Sequence, residues 1–161
     1  MIFEVEGDIL LSKAQVIGHG VAANDPMNQG LAKSLHEYLP AMHKDFHHWC
    51  HVDHPKPGEV WLWTTADGVR IANLITQEGG YGHGARPGKA TLTNVKRALK
   101  SLKKMALKEN VTSLALPRLA TGVGGLAWDD VQLLIWDELG ELDIPIYVYS
   151  KYVAKQAAKE S

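Results

Sequence analysis

The stretch LATGVGGLAWDD (119–130) sets Gly122, Gly124 and Gly125 directly before residues with the apolar spacing of a helix. Glycines packed this closely can take positive φ and bring main-chain N–H groups near a ligand. The helix behind them adds unsatisfied donors and a partial positive charge, which together suit a phosphate. A plain strand-to-helix turn is the alternative, and a single glycine would serve it. Neither GxGxxG nor GxxxxGK[ST] occurs, so the dinucleotide and P-loop fingerprints are excluded.

A second loop of this kind, GHGVAANDPMNQGLAKSL (18–35), carries His19, Asn24, Asp25, Asn28 and Gln29 around a backbone that Gly20 and Gly30 keep accessible. Taken singly, each polar side chain reads as a turn or cap residue. Gathered in one loop opposite another glycine loop, they point to ligand contact. A third segment, GGYGHGARPGKATL (79–92), offers His83, Arg86 and Lys89. Hydrolysis needs a base and an anion clamp within hydrogen-bond reach. His19, Asn24 or Asp25 would position a water, while His83 and Arg86 would meet a terminal phosphate. Taken alone, His83 reads as a surface loop histidine.

AMHKDFHHWCHVDHPKPGEV (41–60) brings together His43, His47, His48, Cys50, His51 and His54. Imidazole and thiolate suit zinc, yet the spacing matches no familiar closed site, and neither a metal nor a cofactor is expected. Phe46 and Trp49 are expected to pack on the core, with the histidines outside and far from any ligand.

These residues need elements to hold them. Ile2 to Val5 and Val16 to Val21 are β-branched runs that read as strands. Leu31, Leu35 and Tyr38/Leu39 share one helical face, and Pro40 is expected to end that helix. EVWLWTT (59–65) and GVRIANLIT (68–76) read as strands joined at Ala66-Asp67-Gly68. Leu92, Val95, Leu99, Leu102 and Met105/Ala106 mark a second helix, whose other face carries Lys96, Arg97, Lys100, Lys103 and Lys104. That face is most simply solvated, with a nucleic-acid-facing role left open. SLALP (113–117) is a buried strand candidate, a third helix starts near Asp129, and IPIYVYS (144–150) closes the series. Alternating strands and helices predict an α/β domain over residues 1–150, a largely parallel sheet covered on both faces. Residues 151–161 are expected to form a short polar helical tail. In such sheets ligands sit at the strand C-terminal edge, where the glycines lie.

The chain has 161 residues and is 45% hydrophobic, enough to bury a core without staples. Its 17 Lys+Arg against 18 Asp+Glu exclude a global electrostatic grip on nucleic acid. One cysteine, Cys50, forms no internal disulfide and fits a reducing compartment. No membrane-length apolar run or secretory signal is visible, so a cytoplasmic monomer is expected.

Taken in order, GDIL near the N-terminus, the strand into HGVAANDPMNQGLA, LPRLATGVGGLAW ahead of a helix and the closing IYVYS resemble the macrodomain family of ADP-ribose-binding modules. Within the family they are most similar to the subgroup of terminal ADP-ribose protein glycohydrolases and ADP-ribose 1″-phosphate phosphatases. The resemblance covers residues 2–150 and implies a three-layer α/β/α fold with a mixed, mostly parallel sheet. It also implies that Asp8, followed by Ile9, accepts a hydrogen bond from the adenine amino group, the alternative being a helix-capping or turn aspartate. Asn28, Gln29, Gly30 and Leu31 would line the distal ribose and diphosphate. Ala120, Thr121, Gly122, Val123, Gly124 and Gly125 would cradle the diphosphate. Tyr149 would either flank the adenine or be an ordinary half-buried strand tyrosine.

The subgroup's glycohydrolases use a lysine after an Ile-Thr pair and an aspartate in the second glycine loop. Here Ile75-Thr76 is followed by Gln77, and the aspartate position falls at Gly124 or Gly125. An amide lacks the nucleophilic lone pair of an amine, so a lysine mechanism would require Lys89 to reach the site. The expectation is an ADP-ribose-binding domain that hydrolyses a group on the distal ribose. The alternative is a reader of ADP-ribose or ADP-ribosylated partners without turnover.

Overall fold

β-Branched residues and glycine stops produce the strands where the sequence predicts them. In the computed structural model, which describes residues 1–160, β1 spans Ile2–Gly7, β2 Val16–Ala22, β3 Val60–Thr64, β4 Arg70–Gln77, β5 Leu114–Leu116 and β6 Ile146–Tyr152. The helices are α1 (Gly30–Tyr38), α2 (Pro40–Asp53), α3 (Leu92–Lys108) and α4 (Trp128–Leu139). The sheet runs β1-β6-β5-β2-β4-β3. Only the β3–β4 pair is antiparallel, closed by a turn with Gly68 at φ +89°. The other strands therefore open their C-terminal ends along one edge.

Both faces of the sheet are covered, giving the three-layer α/β/α arrangement. Alternation along β4 shows why: Ala72 and Leu74 face α3 and α4, whereas Ile71 and Ile75 face α2. Val95, Leu99, Leu102, Val131, Ile135 and Leu139 fill the first layer. Leu35, Met42, Phe46 and Cys50 fill the second. Removing such side chains from water stabilises the fold by about 1.5–3 kcal/mol each, and β4, sandwiched between layers, is buried from Ile71 to Gln77.

Three expectations change. Pro40 does not only stop α1: it sits in the first turn of α2, where its missing N–H costs nothing. The histidine-rich segment is thus a helix, with Met42, Phe46 and Cys50 inward. The polar helix expected after residue 150 does not form. β6 continues to Tyr152, and 153–160 runs back as turn and extended chain over the end of β1, because Val153 N–H donates to Gly7 O and Asp8 N–H to Gln156 O. The histidines, finally, are not all outside. His36 stacks on His43 at a ring separation of 3.8 Å, and His47 lies tilted against His43 at 4.6 Å. His36 Nδ1 meets Met27 O of the second glycine loop at 3.2 Å, and the Nε2 atoms of His43 and His47 are buried without a partner among the described residues.

Candidate functional site

Two cavities lie along the C-terminal edge of the sheet. One, of about 680 Å³, is walled by Asp8, Ile9, Leu31, Tyr149 and the end of β6. The other, of about 560 Å³, is walled by His19, Gln77, the 25–32 segment, Ala85 to Pro87 and the 118–124 loop. Gly30, Leu31, Pro117 and Arg118 line both, so the two form one groove.

The first end is tightly bonded already. Asp8 caps a 3₁₀ turn through Oδ1, which accepts from Leu10 N at 3.1 Å, and its Oδ2 accepts from Lys155 N at 3.0 Å. Tyr149 is buried in the cavity wall and donates its phenol to Glu160. Burial first, and then the Glu160 carboxylate, hold that phenol protonated far above the ordinary tyrosine range. Tyr149 is thus a buried strand residue that also lines the cavity.

The opposite end differs. His19 lies beside Asn73 across the β2–β4 pairing and is 2% exposed. Asn73 donates Nδ2 to Trp61 O, leaving Oδ1 to accept from His19 Nε2 at 2.6 Å. Burial lowers the His19 pKa, so the ring is neutral at pH 7 and Nδ1 keeps a bare lone pair. That Nδ1 is buried without a protein partner among the described residues. Gln77, where the subgroup has its lysine, donates Nε2 to Gly88 O at 2.6 Å.

Between the two ends lie the donors suited to an anion. The 118–126 loop turns through Ala120 at φ +60° and Gly125 at φ +79°, rare and strained for the alanine. Gly124 has no room for a side chain, since a Cβ would sit 2.5 Å from Ala120 O, whereas nothing lies within 4 Å of a Cβ at Gly122. The N-terminus of α1 starts at Gly30 without a side-chain cap or an acidic residue in its first turn. The first turn of α4 holds Asp129 and Asp130 instead. The anion-binding helix end expected after LATGVGG is therefore better supplied by α1.

The structure brings together Asp8, Ile9, His19, Asp25, Asn28, Gln29, Gly30, Leu31, Ala120, Gly122, Val123, Gly124 and Tyr149 along this groove. Thr121 bonds Arg118 O, and Gly125 shapes the turn without lining the cavity. Asp25 spends both oxygens on its own loop, accepting from Ala22 N and Met27 N. Asn24 is tied to Gly80 O and to Cys50 Sγ, with Oδ1 unpaired. His83 is exposed on the 82–85 turn and does not line the groove, whereas Arg86 does. The Lys89 chain passes near Gly125, with Cδ 3.8 Å from where a Cβ would stand, but Lys89 is exposed and lines neither cavity.

Sequence reasoning missed Arg118 and the tail. Arg118 donates Nε to Ser150 O at 2.6 Å and stands over the Trp128 ring at 5.4 Å, fixing a cation where the cavities meet. Its signal was present, an arginine at the mouth of a glycine loop. The tail's contacts join distant residues and left no local mark. Among the described residues no three His, Cys, Asp or Glu side chains converge as metal ligands. Burial pushes the Cys50 thiol up to about 11, which makes it a packing residue rather than a nucleophile. No helix among the described residues is long and apolar enough to cross a membrane.

A family model described as Macro domain matches residues 19–135. The chain is 28% identical over 147 residues to the ADP-ribose glycohydrolase OARD1 of Homo sapiens, covering 91% of this chain and 89% of that protein. It is 26% identical over 157 residues to a DNA ADP-ribosyl transferase and DNA ADP-ribosyl glycohydrolase fusion protein of Thermosipho africanus, covering 90% of this chain and 40% of the fusion. The solved macrodomain of Mycobacterium tuberculosis DarG superposes with a TM-score of 0.82 at 24% identity, over 92% of this chain and 97% of that one.

Proposed function

The chain belongs to the macrodomain family, and from that premise we propose that its groove binds ADP-ribose and that it hydrolyses an ADP-ribose derivative at the distal ribose. Asp8 and Tyr149 take the adenine. The amides of residues 120–124, the N-terminus of α1 and the Arg118 guanidinium take the diphosphate. The distal ribose enters the compartment of His19, Gln77 and Arg86.

The bare, buried Nδ1 of His19 carries the hydrolytic half of this reading. An imidazole kept neutral by burial accepts a proton from water or a ribose hydroxyl. Water oxygen then bonds to C1″, the C1″–O bond breaks with its electron pair on the leaving group, and the water proton passes to His19. Neither Gln77 nor the glycine loop supplies a general acid for the leaving group. Leaving groups that need no protonation, a carboxylate or a phosphate, fit best. ADP-ribose 1″-phosphate and ester-linked ADP-ribose, on protein or nucleic acid, are therefore the favoured substrates.

The second reading, binding without turnover, is favoured by Gln77, an amide locked to Gly88 O. Incubation with ADP-ribose 1″-phosphate, glutamate-linked ADP-ribosyl protein and ADP-ribosylated DNA separates the two. Release of ADP-ribose establishes the enzyme, and no release from any substrate leaves the reader. Absence of calorimetric heat with ADP-ribose at millimolar concentration would remove both. A nucleic-acid-linked substrate would meet Lys96, Lys100 and Lys104 of α3, and its binding would fall steeply with salt.

A further inference from the structure

We propose that the segment 153–160 is a working part of the base-binding end of the groove, with Glu160 a positioning residue that sets the preference for a 6-amino purine. The inference rests on the ADP-ribose reading above.

The tail doubles back on the β1 end, and its bonds to Gly7, Asp8 and Tyr149 fall on cavity residues. Asp8 N–H donates to Gln156 O at 2.7 Å, and Lys155 N–H donates to Asp8 Oδ2 at 3.0 Å. Gly7, at φ +154°, lies so close beneath that a Cβ there would stand 2.7 Å from Gln156 O. Glu160 closes the strap: its carboxylate accepts from Ser12 Oγ at 2.6 Å, from Lys13 N at 2.9 Å and from the Tyr149 phenol. One acidic side chain thus ties the turn after Asp8 to the tyrosine in the cavity wall.

The chemical consequence follows from counting lone pairs. A carboxylate has about four acceptor positions and no donor. With one backbone N–H on each oxygen, Asp8 is held in a single orientation and what remains can only accept. A 6-amino group donates to it. The carbonyl oxygen of a 6-oxo purine would face it as a second acceptor, leaving a buried polar group unpaired. Without the tail, Oδ2 loses its backbone donor and the carboxylate is free to turn, so discrimination should fall.

The test compares ADP-ribose with its hypoxanthine counterpart by calorimetry, in the full chain, in a chain ending at Tyr152, and in Glu160→Ala, Glu160→Gln and Tyr149→Phe. The full chain should prefer ADP-ribose by roughly tenfold or more, the effect of one unpaired buried group. In the shortened chain and in Glu160→Ala the ratio should fall several-fold, chiefly through weaker ADP-ribose binding. Glu160→Gln, which keeps an acceptor oxygen, should recover part of the loss. Glu160→Ala combined with Tyr149→Phe should cost less than the sum of the two. If the shortened chain no longer melts cooperatively, the point variants decide the matter. An unchanged ratio in folded Glu160→Ala overturns the proposal. Failure of the full chain to bind ADP-ribose sinks the underlying reading instead, so the two failures are distinguishable.

Discussion

The two ends of the groove are built on opposite principles. At the Asp8 end every polar group of note is already bonded within the protein: both Asp8 oxygens, the Tyr149 phenol and the Glu160 carboxylate. At the His19 end Asp25 and Gln77 are bonded too, but one buried atom of the lining, His19 Nδ1, is left open. A group satisfied in the free protein is rigid and selects by shape and polarity. A buried group left unsatisfied costs the fold roughly 1–3 kcal/mol and recovers it when a partner arrives. Under the proposed function, this contrast would put recognition at one end and chemistry at the other.

The contrast breaks most sharply at His19. His19→Gln keeps a donor for Asn73 Oδ1 but removes the basic nitrogen, and turnover should fall about 10²- to 10⁴-fold with ADP-ribose affinity nearly unchanged. Release assays set beside calorimetry check this, and equal losses in both would erase the division of labour. Asp8→Ala should act the other way, weakening ADP-ribose binding about 10- to 100-fold. It should also lower the melting temperature, because Leu10 N and Lys155 N lose their acceptor.

The glycine loop sharpens the comparison further. Gly122 has open space and no positive φ, so the fold does not require glycine there. Gly122→Val should leave melting unchanged while reducing affinity by roughly tenfold through steric exclusion of the diphosphate. Gly124→Ala should instead destabilise by about 1–3 kcal/mol, since its Cβ would strike Ala120 O. Equal behaviour of the two variants in melting and titration would show that the loop serves only the fold.

The smallest effect is on stability against pH. His19, His43 and His47 all have pKa values lowered in the folded state, chiefly by burial. The unfolded chain therefore binds more protons as pH falls below the ordinary histidine value of about 6.5. Their contribution is fully present above that pH and is lost progressively below it. Urea midpoints at pH 7.5 and 5.5 should differ, less so in His19→Gln, and an equal shift in that variant would remove His19 from the account.

Much of the fold was legible because its causes are local. Apolar spacing in α3, the β-branched run of β4 and the turn at Gly68 all follow from neighbours a few residues apart. The groove's two glycine loops were legible for the same reason, as were Asp8 and Tyr149 through the ordered motifs around them. Pro40 misled because a residue that stops one helix also starts another. The tail misled because the polar, alanine-containing KYVAKQAAKES has helical composition, while contacts with Gly7, Asp8 and Ser12 hold it extended.

Residue types and short spacings by themselves determined the α/β alternation, the edge at which a ligand would lie and the bare amides available to grip it. Only the tertiary structure decided which polar atoms are spent and which are left open. His19 meets Asn73 across 54 residues and Asp8 meets Lys155 across 147. Such pairings depend on strand register and on the path of a returning chain, which no window of neighbouring residues encodes.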